Sequence, residues 1–288
     1  MSESQNGSII KIETLDGYSL SGRVYSAPNP TKAIFLFGAM GVPQKFYESF
    51  AQFFAKNDCA VLTFDPRGMG ESRQEPLSKM KTNIFTWAKL DVEAALQELI
   101  SRLPNTPITW IGHSLGGQII PLTPSHNKVS KFITIASGTG WWRENSPELR
   151  KRVWMLWYGF APILTPIFGY FPGRRLGMVG DLPGGVMMQW RKWCLNPEYL
   201  IGVEGDDVRS LYSNFKLPIT SLSFTDDEMM SEKNINSLYE FYSSAIKKML
   251  RFSPEQLMKK RIGHFGFFKK GNEDLWWDLV MPEIKGCS

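Results

Sequence analysis

Short apolar runs alternate along this chain with longer stretches in which apolar residues recur every three or four positions. Residues 9–25 largely alternate apolar and polar around Asp16-Gly17. An Asp-Gly between two alternating runs predicts a β-hairpin. Ala33 to Phe37, Ala60 to Phe64, Ile108 to Ile111 and Phe132 to Ala136 are mostly apolar runs of strand length. Such runs suit strands buried on both faces of a parallel sheet. Between the first two, Phe46, Phe50, Ala51 and Phe54 share a helical face. Between residues 85 and 103, Ala88, Val92, Ala95, Leu96, Leu99 and Leu103 form one stripe, with Lys89, Asp91, Glu93, Glu98 and Arg102 off it. That spacing predicts an amphipathic helix, which Pro104 helps to end. Buried strands alternating with helices predict an α/β architecture, a mostly parallel sheet with helices on both faces.

The rhythm stops near Thr139 and resumes at Pro218 to Phe224, followed by a helix near residues 232–243, a strand near 247–252 and a last helix near 273–280. The pattern therefore divides the chain into a core, residues 1–138 and 206–288, and an inserted segment, residues 139–205. Within the insertion, Val153 to Gly173 holds no charged residue, a length close to a membrane span. Pro162, Pro166, Pro172, Gly159 and Gly169 are expected to break it into short buried or interfacial helices.

The 288 residues can bury a large core in one or two domains. Charged residues make up 21% and aromatics 13%, which excludes a disordered chain or a coiled coil. The net charge of +5 is spread without a block of like charges, so no nucleic-acid partner is expected. Cys59, Cys194 and Cys287 are widely spaced, with no CxxC and no zinc-like pairing with histidine. Reduced thiols and a polar N-terminus without a secretory pattern lead to a cytoplasmic expectation.

Chemistry concentrates at Gly112-His-Ser-Leu-Gly-Gly117, a G-x-S-x-G between a buried strand and a helix. This is the pattern of a nucleophile elbow, in which a strained turn lifts the serine above the carboxyl end of a sheet. Ser114 is the candidate nucleophile, and a serine hydroxyl needs a general base. The chain has three histidines. His113 is part of the elbow and must point away from the attack face. His126 is expected past the end of a long elbow helix, distant from Ser114. His264, between Gly263 and Gly266, remains as the base. A carboxylate to orient it is expected between Ser114 and His264 in the chain. Asp226 and Asp227, at the end of the strand from Ile219 to Phe224, compete for that role, at least one of them being expected to be solvated.

With these residues in place, the chain resembles the α/β-hydrolase fold family, in its serine-hydrolase branch of esterases, lipases and serine aminopeptidase-like enzymes. GHSLGG is the strongest match, and Asp65-Pro-Arg-Gly-Met-Gly-Glu-Ser72 is similar to the family's D-x-R-G-x-G-x-S loop. Gly38-Ala-Met-Gly41 takes the place of the oxyanion loop, with Phe37 where histidine is usual. The resemblance is closest to a bacterial group of predicted hydrolases with W-W/Y-R after the sixth strand and G-H-x-G-F-F around the histidine. It implies an eight-stranded, mostly parallel sheet with a helical cap, or lid, inserted after the sixth strand. It also implies the acid: nine residues after Pro218 stands Asp227, followed after a gap by Met229 and Met230. Backbone N–H groups of Leu115 and of Ala39 or Met40 would hold an oxyanion, and no metal or cofactor is needed.

Six of the ten tryptophans lie in the insertion. Trp154 and Trp157 are three residues apart, as are Trp190 and Trp193, so each pair is expected to share a helix face. Trp141, Trp142, Trp154 and Trp157 are the candidate substrate contacts, under a lid that either forms an apolar pocket or is merely glued to the sheet by these rings. The implied reaction is hydrolysis of a small-molecule ester through a Ser-His-Asp triad. A peptidase, amidase or acyltransferase with the same triad, and a non-catalytic binding protein, are the alternatives. Peripheral membrane contact through the basic, aromatic lid is a further expectation, and both monomer and homodimer remain open.

Overall fold

The alternation along the strands fixes two opposite faces. In β3 (Lys32–Phe37), Ala33, Phe35 and Phe37 belong to one apolar cluster, and Ile34 and Leu36 to another on the far side. The same division holds in β5 (Ile108–His113), where Trp110 faces the first cluster and Ile111 the second. A sheet apolar on both faces must be covered on both. The computed structural model, which describes residues 7–178 and 180–286, has that arrangement.

Eight strands form the sheet, in the order β1 (Ser8–Glu13), β2 (Ser19–Ser26), β4 (Cys59–Phe64), β3, β5, β6 (Lys131–Ile135), β9 (Pro218–Phe224) and β10 (Ile246–Phe252). The hairpin of β1 and β2 turns at Asp16-Gly17 and pairs antiparallel. β2 also pairs antiparallel with β4. From β4 onward the neighbours are parallel, through β6, β9 and β10. One face carries the helix of residues 84–102, whose Trp87, Val92, Leu96 and Leu99 are buried. The other carries helix Glu48–Ala55 and the C-terminal helix of residues 273–285 through Phe50, Phe54, Trp276 and Ile284.

Between β6 and β9 no described residue joins this sheet. Helix 147–168 begins at Ser146, whose hydroxyl accepts the Leu149 N–H and donates to the Glu228 carbonyl. The helix runs unbroken through a π-helical turn at Leu156–Phe160 and ends at Gly169, in the left-handed conformation. The expected breaks at Gly159, Pro162 and Pro166 are therefore not found, while those at Gly169 and Pro172 are. Pro162 falls in the first turn after the π-helical segment, and the single donor lost at Pro166 is tolerated close to the helix end. A two-stranded ribbon, β7 (Tyr170–Phe171) and β8 (Leu182–Pro183), leads into helices Gly184–Leu195, Tyr199–Glu204 and Asp206–Ser213. Among the described residues no helix is long and apolar enough to cross a membrane. Cys59 and Cys194 are buried free thiols. Cys287 and residues 1–6, part of the N-terminal stretch read for a leader, lie outside the described residues.

Candidate active site

β5 ends at His113, and the chain reverses into a helix within one residue. Ser114 takes φ 52° and ψ −113°, a strained combination for a residue with a side chain. The turn can be this tight because Gly112 and Gly116 have no Cβ. A Cβ on Gly112 would strike the Gly116 backbone, and one on Gly116 would strike the Phe37 carbonyl. The Trp110 indole pins the turn from below by donating to the Gly116 carbonyl at 3.0 Å. The helix that follows is a single turn, Leu115–Gln118, not the long helix expected. Pro121 and Pro124 divert the chain into short 3-10 turns. His126 nevertheless lies away from the site, stacked on Phe215 at 5.3 Å with its Nδ1 on the Thr123 carbonyl.

His264 is 1% exposed and shares a small pit with Ser114, Leu115, Ala39 and Met40. Its Nδ1 lies 2.9 and 3.1 Å from the two carboxylate oxygens of Asp227. Because a carboxylate accepts, Nδ1 carries the proton and Nε2 is left as the basic nitrogen. The residues read as nucleophile, base and acid are thus brought together. No hydrogen bond joins Ser114 to the imidazole in this arrangement, as is common before substrate enters.

The acidic turn after β9 holds more than the ring. Asp227 Oδ1 also accepts the N–H groups of Met229 and Met230, both at 2.8 Å. Asp226 Oδ2 accepts the N–H groups of Ile262 (2.8 Å) and Gly263 (3.1 Å). Glu228 Oε2 accepts the N–H of His264 at 3.1 Å. Three consecutive carboxylates therefore grip the histidine loop, one on the imidazole and two on its backbone. The expected solvated member of the aspartate pair is not found, since Asp226 is committed to the backbone.

His113, fully buried, points away from the pit and closes a second network. Its Nε2 faces the His264 carbonyl at 2.9 Å, and a carbonyl can only accept. Nε2 is thus protonated, and Nδ1 accepts from the Tyr47 hydroxyl at 2.8 Å. The Tyr47 oxygen in turn accepts the Ala39 N–H at 2.8 Å. Burial, reinforced by neighbouring His264, holds His113 well below its ordinary pKa and keeps it neutral, as the network requires. Ala39 has therefore committed its N–H. The N–H groups of Met40 and Leu115 have no partner among the described residues. A helix N-terminus and a free loop amide facing one pit form an anion-stabilising pair.

The loop from Asp65 to Ser72 braces the loop that follows β3. Buried Asp65 accepts the N–H groups of Gln44 (2.7 Å) and Glu71 (3.0 Å), while Arg67 bridges Asp91 and Asp16. Phe37, at the end of β3, stacks on Phe64 at 5.3 Å.

An apolar cleft of about 1010 Å³ adjoins the pit and shares Trp190, Met229, Met230 and Phe265 with it. Helix 147–168 supplies Leu149, Val153, Leu156 and Trp157, and Arg152 and Lys45 add charge. Of the four tryptophans expected at the substrate, only Trp157 lines this cleft, packed edge-on against Trp190 at 5.1 Å. Trp154 is 50% exposed on the opposite side, so Trp154 and Trp157 do not share a face. Trp193 is fully buried whereas Trp190 reaches the cleft, so that pair is divided as well. Trp142 stands against Tyr158 and under Arg143, and the Trp141 carbonyl accepts from Asn234; neither lines the cleft.

Tyr47, Trp110, Glu228 and Trp190 are site or supporting residues outside the sequence-derived candidates, and Asp226, weighed there as the acid, holds the histidine loop's backbone instead. Only the acidic pair flanking Asp227 had a visible signal, its adjacency in the sequence.

A family model of the alpha/beta hydrolase fold matches residues 34–162. Similar solved structures include a soluble variant of monoglyceride lipase from Saccharomyces cerevisiae in complex with a substrate analogue. It is 18% identical with a TM-score of 0.62, covering 86% of this chain and 85% of that one. An esterase of Pyrococcus furiosus is 14% identical with a TM-score of 0.60, over 96% and 90%. Alpha/beta hydrolase domain-containing protein 10 from mouse is 14% identical with a TM-score of 0.60, over 98% and 100%. No curated protein matches the chain in sequence.

Proposed function

We propose that this chain, which has the α/β-hydrolase fold, is a serine hydrolase that cleaves a carboxylic ester of a small to medium apolar substrate. The observation carrying this reading is the Asp227–His264 pair beside Ser114 on a strained strand-to-helix turn. In the reaction, His264 Nε2 takes the Ser114 proton as Oγ attacks the ester carbonyl carbon. The oxyanion forms against the N–H groups of Leu115 and Met40. Collapse expels the alcohol, which takes the proton back from His264. Water, deprotonated by the same nitrogen, then attacks the acyl-enzyme, and Ser114 is released with the acid.

The largely apolar cleft supports an apolar acyl portion, and residues 139–205, which bound it, serve as the lid. That an esterase and a lipase are among the structurally similar proteins agrees with ester chemistry. Two buried free thiols suit a reducing compartment, and we assign the protein to the cytoplasm.

A fluorophosphonate should label wild-type protein at Ser114, and Ser114→Ala should lose labelling and at least ~1000-fold in turnover of p-nitrophenyl esters. Undiminished turnover in that variant would overturn the reading. In the same assay, anilide and aminoacyl substrates should be cleaved far more slowly than esters; preference for them would point to the amidase branch.

A further inference from the structure

Helix 147–168 is apolar on two sides. One side lines the cleft through Leu149, Val153 and Trp157. The other presents Trp154, Tyr158, Ile163 and Ile167 to solvent, with exposures of 50, 56, 56 and 69%. Their spacing of four, five and four residues would drift around an ordinary helix. The π-helical turn at Leu156–Phe160 takes up the extra residue and keeps the four on one stripe. Fifteen large apolar side chains are exposed among the described residues, and eight of them fall between Trp154 and Met178. Exposed apolar groups scattered singly need no explanation, but this concentration marks a contact surface.

Charge identifies the partner. From Leu149 to Gly180 the sequence has five basic residues, Arg150, Lys151, Arg152, Arg174 and Arg175, and no acidic one. All five are exposed, at the start of the helix and just beyond its end, and Arg175 lies over the Phe168 ring. A second copy docking face to face would bring the basic groups of both copies together, which disfavours self-association here. An anionic bilayer satisfies both features, with aromatic and aliphatic side chains in the acyl boundary and cations among the headgroups.

We infer that the outer face of helix 147–168 docks this protein onto anionic membranes. The helix lies in the interface plane rather than spanning it. The docking does not depend on the proposed hydrolysis, and its test reads binding rather than turnover.

Full-length protein is mixed with vesicles of phosphatidylcholine alone or with phosphatidylglycerol, and bound protein is separated by flotation. Binding is expected on the anionic vesicles, falling as salt rises. Ile163→Ser/Ile167→Ser should reduce partitioning roughly tenfold or more. Arg174→Glu/Arg175→Glu should remove the preference for phosphatidylglycerol. Both pairs of sites are exposed, and unchanged circular dichroism and turnover of a short water-soluble ester would show the fold intact. No flotation with anionic vesicles, equal binding of the isoleucine variant, or a wild-type dimer abolished by that variant would each overturn the inference.

Discussion

At the residue scale, the two adjacent aspartates have separate tasks. Asp227 holds the imidazole, and Asp226 holds the backbone that carries it. Removing the charge facing Nδ1 should strike catalysis itself, and Asp227→Asn is expected to lower kcat by about 10⁴-fold. Asp226→Ala leaves two loop N–H groups without their acceptor, so the ring is displaced rather than discharged. Its kcat should fall roughly tenfold at nearly constant KM, since the cleft is untouched. Asp226→Asn keeps an acceptor oxygen and should restore most of that loss. Steady-state kinetics on the three variants would check this; equal losses in Asp226→Ala and Asp226→Asn would contradict a positioning role. That Ser114 and His264 would meet could be read from the sequence because small residues around a serine, and only three histidines, left few choices. The backbone grip of Asp226 and Glu228 could not, because it depends on where a loop some 35 residues downstream folds back.

At the scale of elements, the reading succeeded where one face or one turn dominates. The strands announced themselves as apolar runs, and the elbow as a strand followed by glycines. It failed where local propensity met tertiary packing. Gly159, Pro162 and Pro166 predicted breaks within Val153–Gly173, yet packing on the sheet domain and a π-helical turn carry the helix to Phe168, where Gly169 ends it as expected. The elbow helix was expected to be long, yet Pro121 stops it after one turn. The elbow itself tolerates no side chain on its inner surface. Gly116→Ala would drive a Cβ into the Phe37 carbonyl and push β3, with the loop that follows it, away from Leu115. The backbone on both sides is buried and cannot give way. The expected result is a loss of about 2–4 kcal/mol in unfolding free energy together with loss of ester turnover. Urea titration and a p-nitrophenyl ester assay would measure both; a variant of wild-type stability and activity would refute the close approach.

At the scale of the whole molecule, the sheet's far edge is closed by one side chain. Glu283, on the C-terminal helix, contacts Lys131 of β6, Thr220 of β9 and Lys248 of β10, three neighbouring strands. Burial alone would raise its pKa, but the bonds from Lys131, Lys248 and Thr220 outweigh it and lower the value from 4.5 to about 2. The depressed value fixes the sign of the pH effect. The carboxylate contributes its full stabilisation above about 4.5, and that contribution drains away as pH falls towards about 2. Glu283→Gln should therefore destabilise the fold by about 2 kcal/mol at pH 7. The gap between wild type and variant should narrow steadily through the acid range. Urea unfolding at pH 7, 4 and 3 would follow it. A gap independent of pH would mean that the three-strand tie acts through packing rather than charge. Because Glu283 lies on the face of the sheet opposite helix 147–168, ester turnover at pH 7 should survive the substitution, separating the stability of the scaffold from the chemistry it supports.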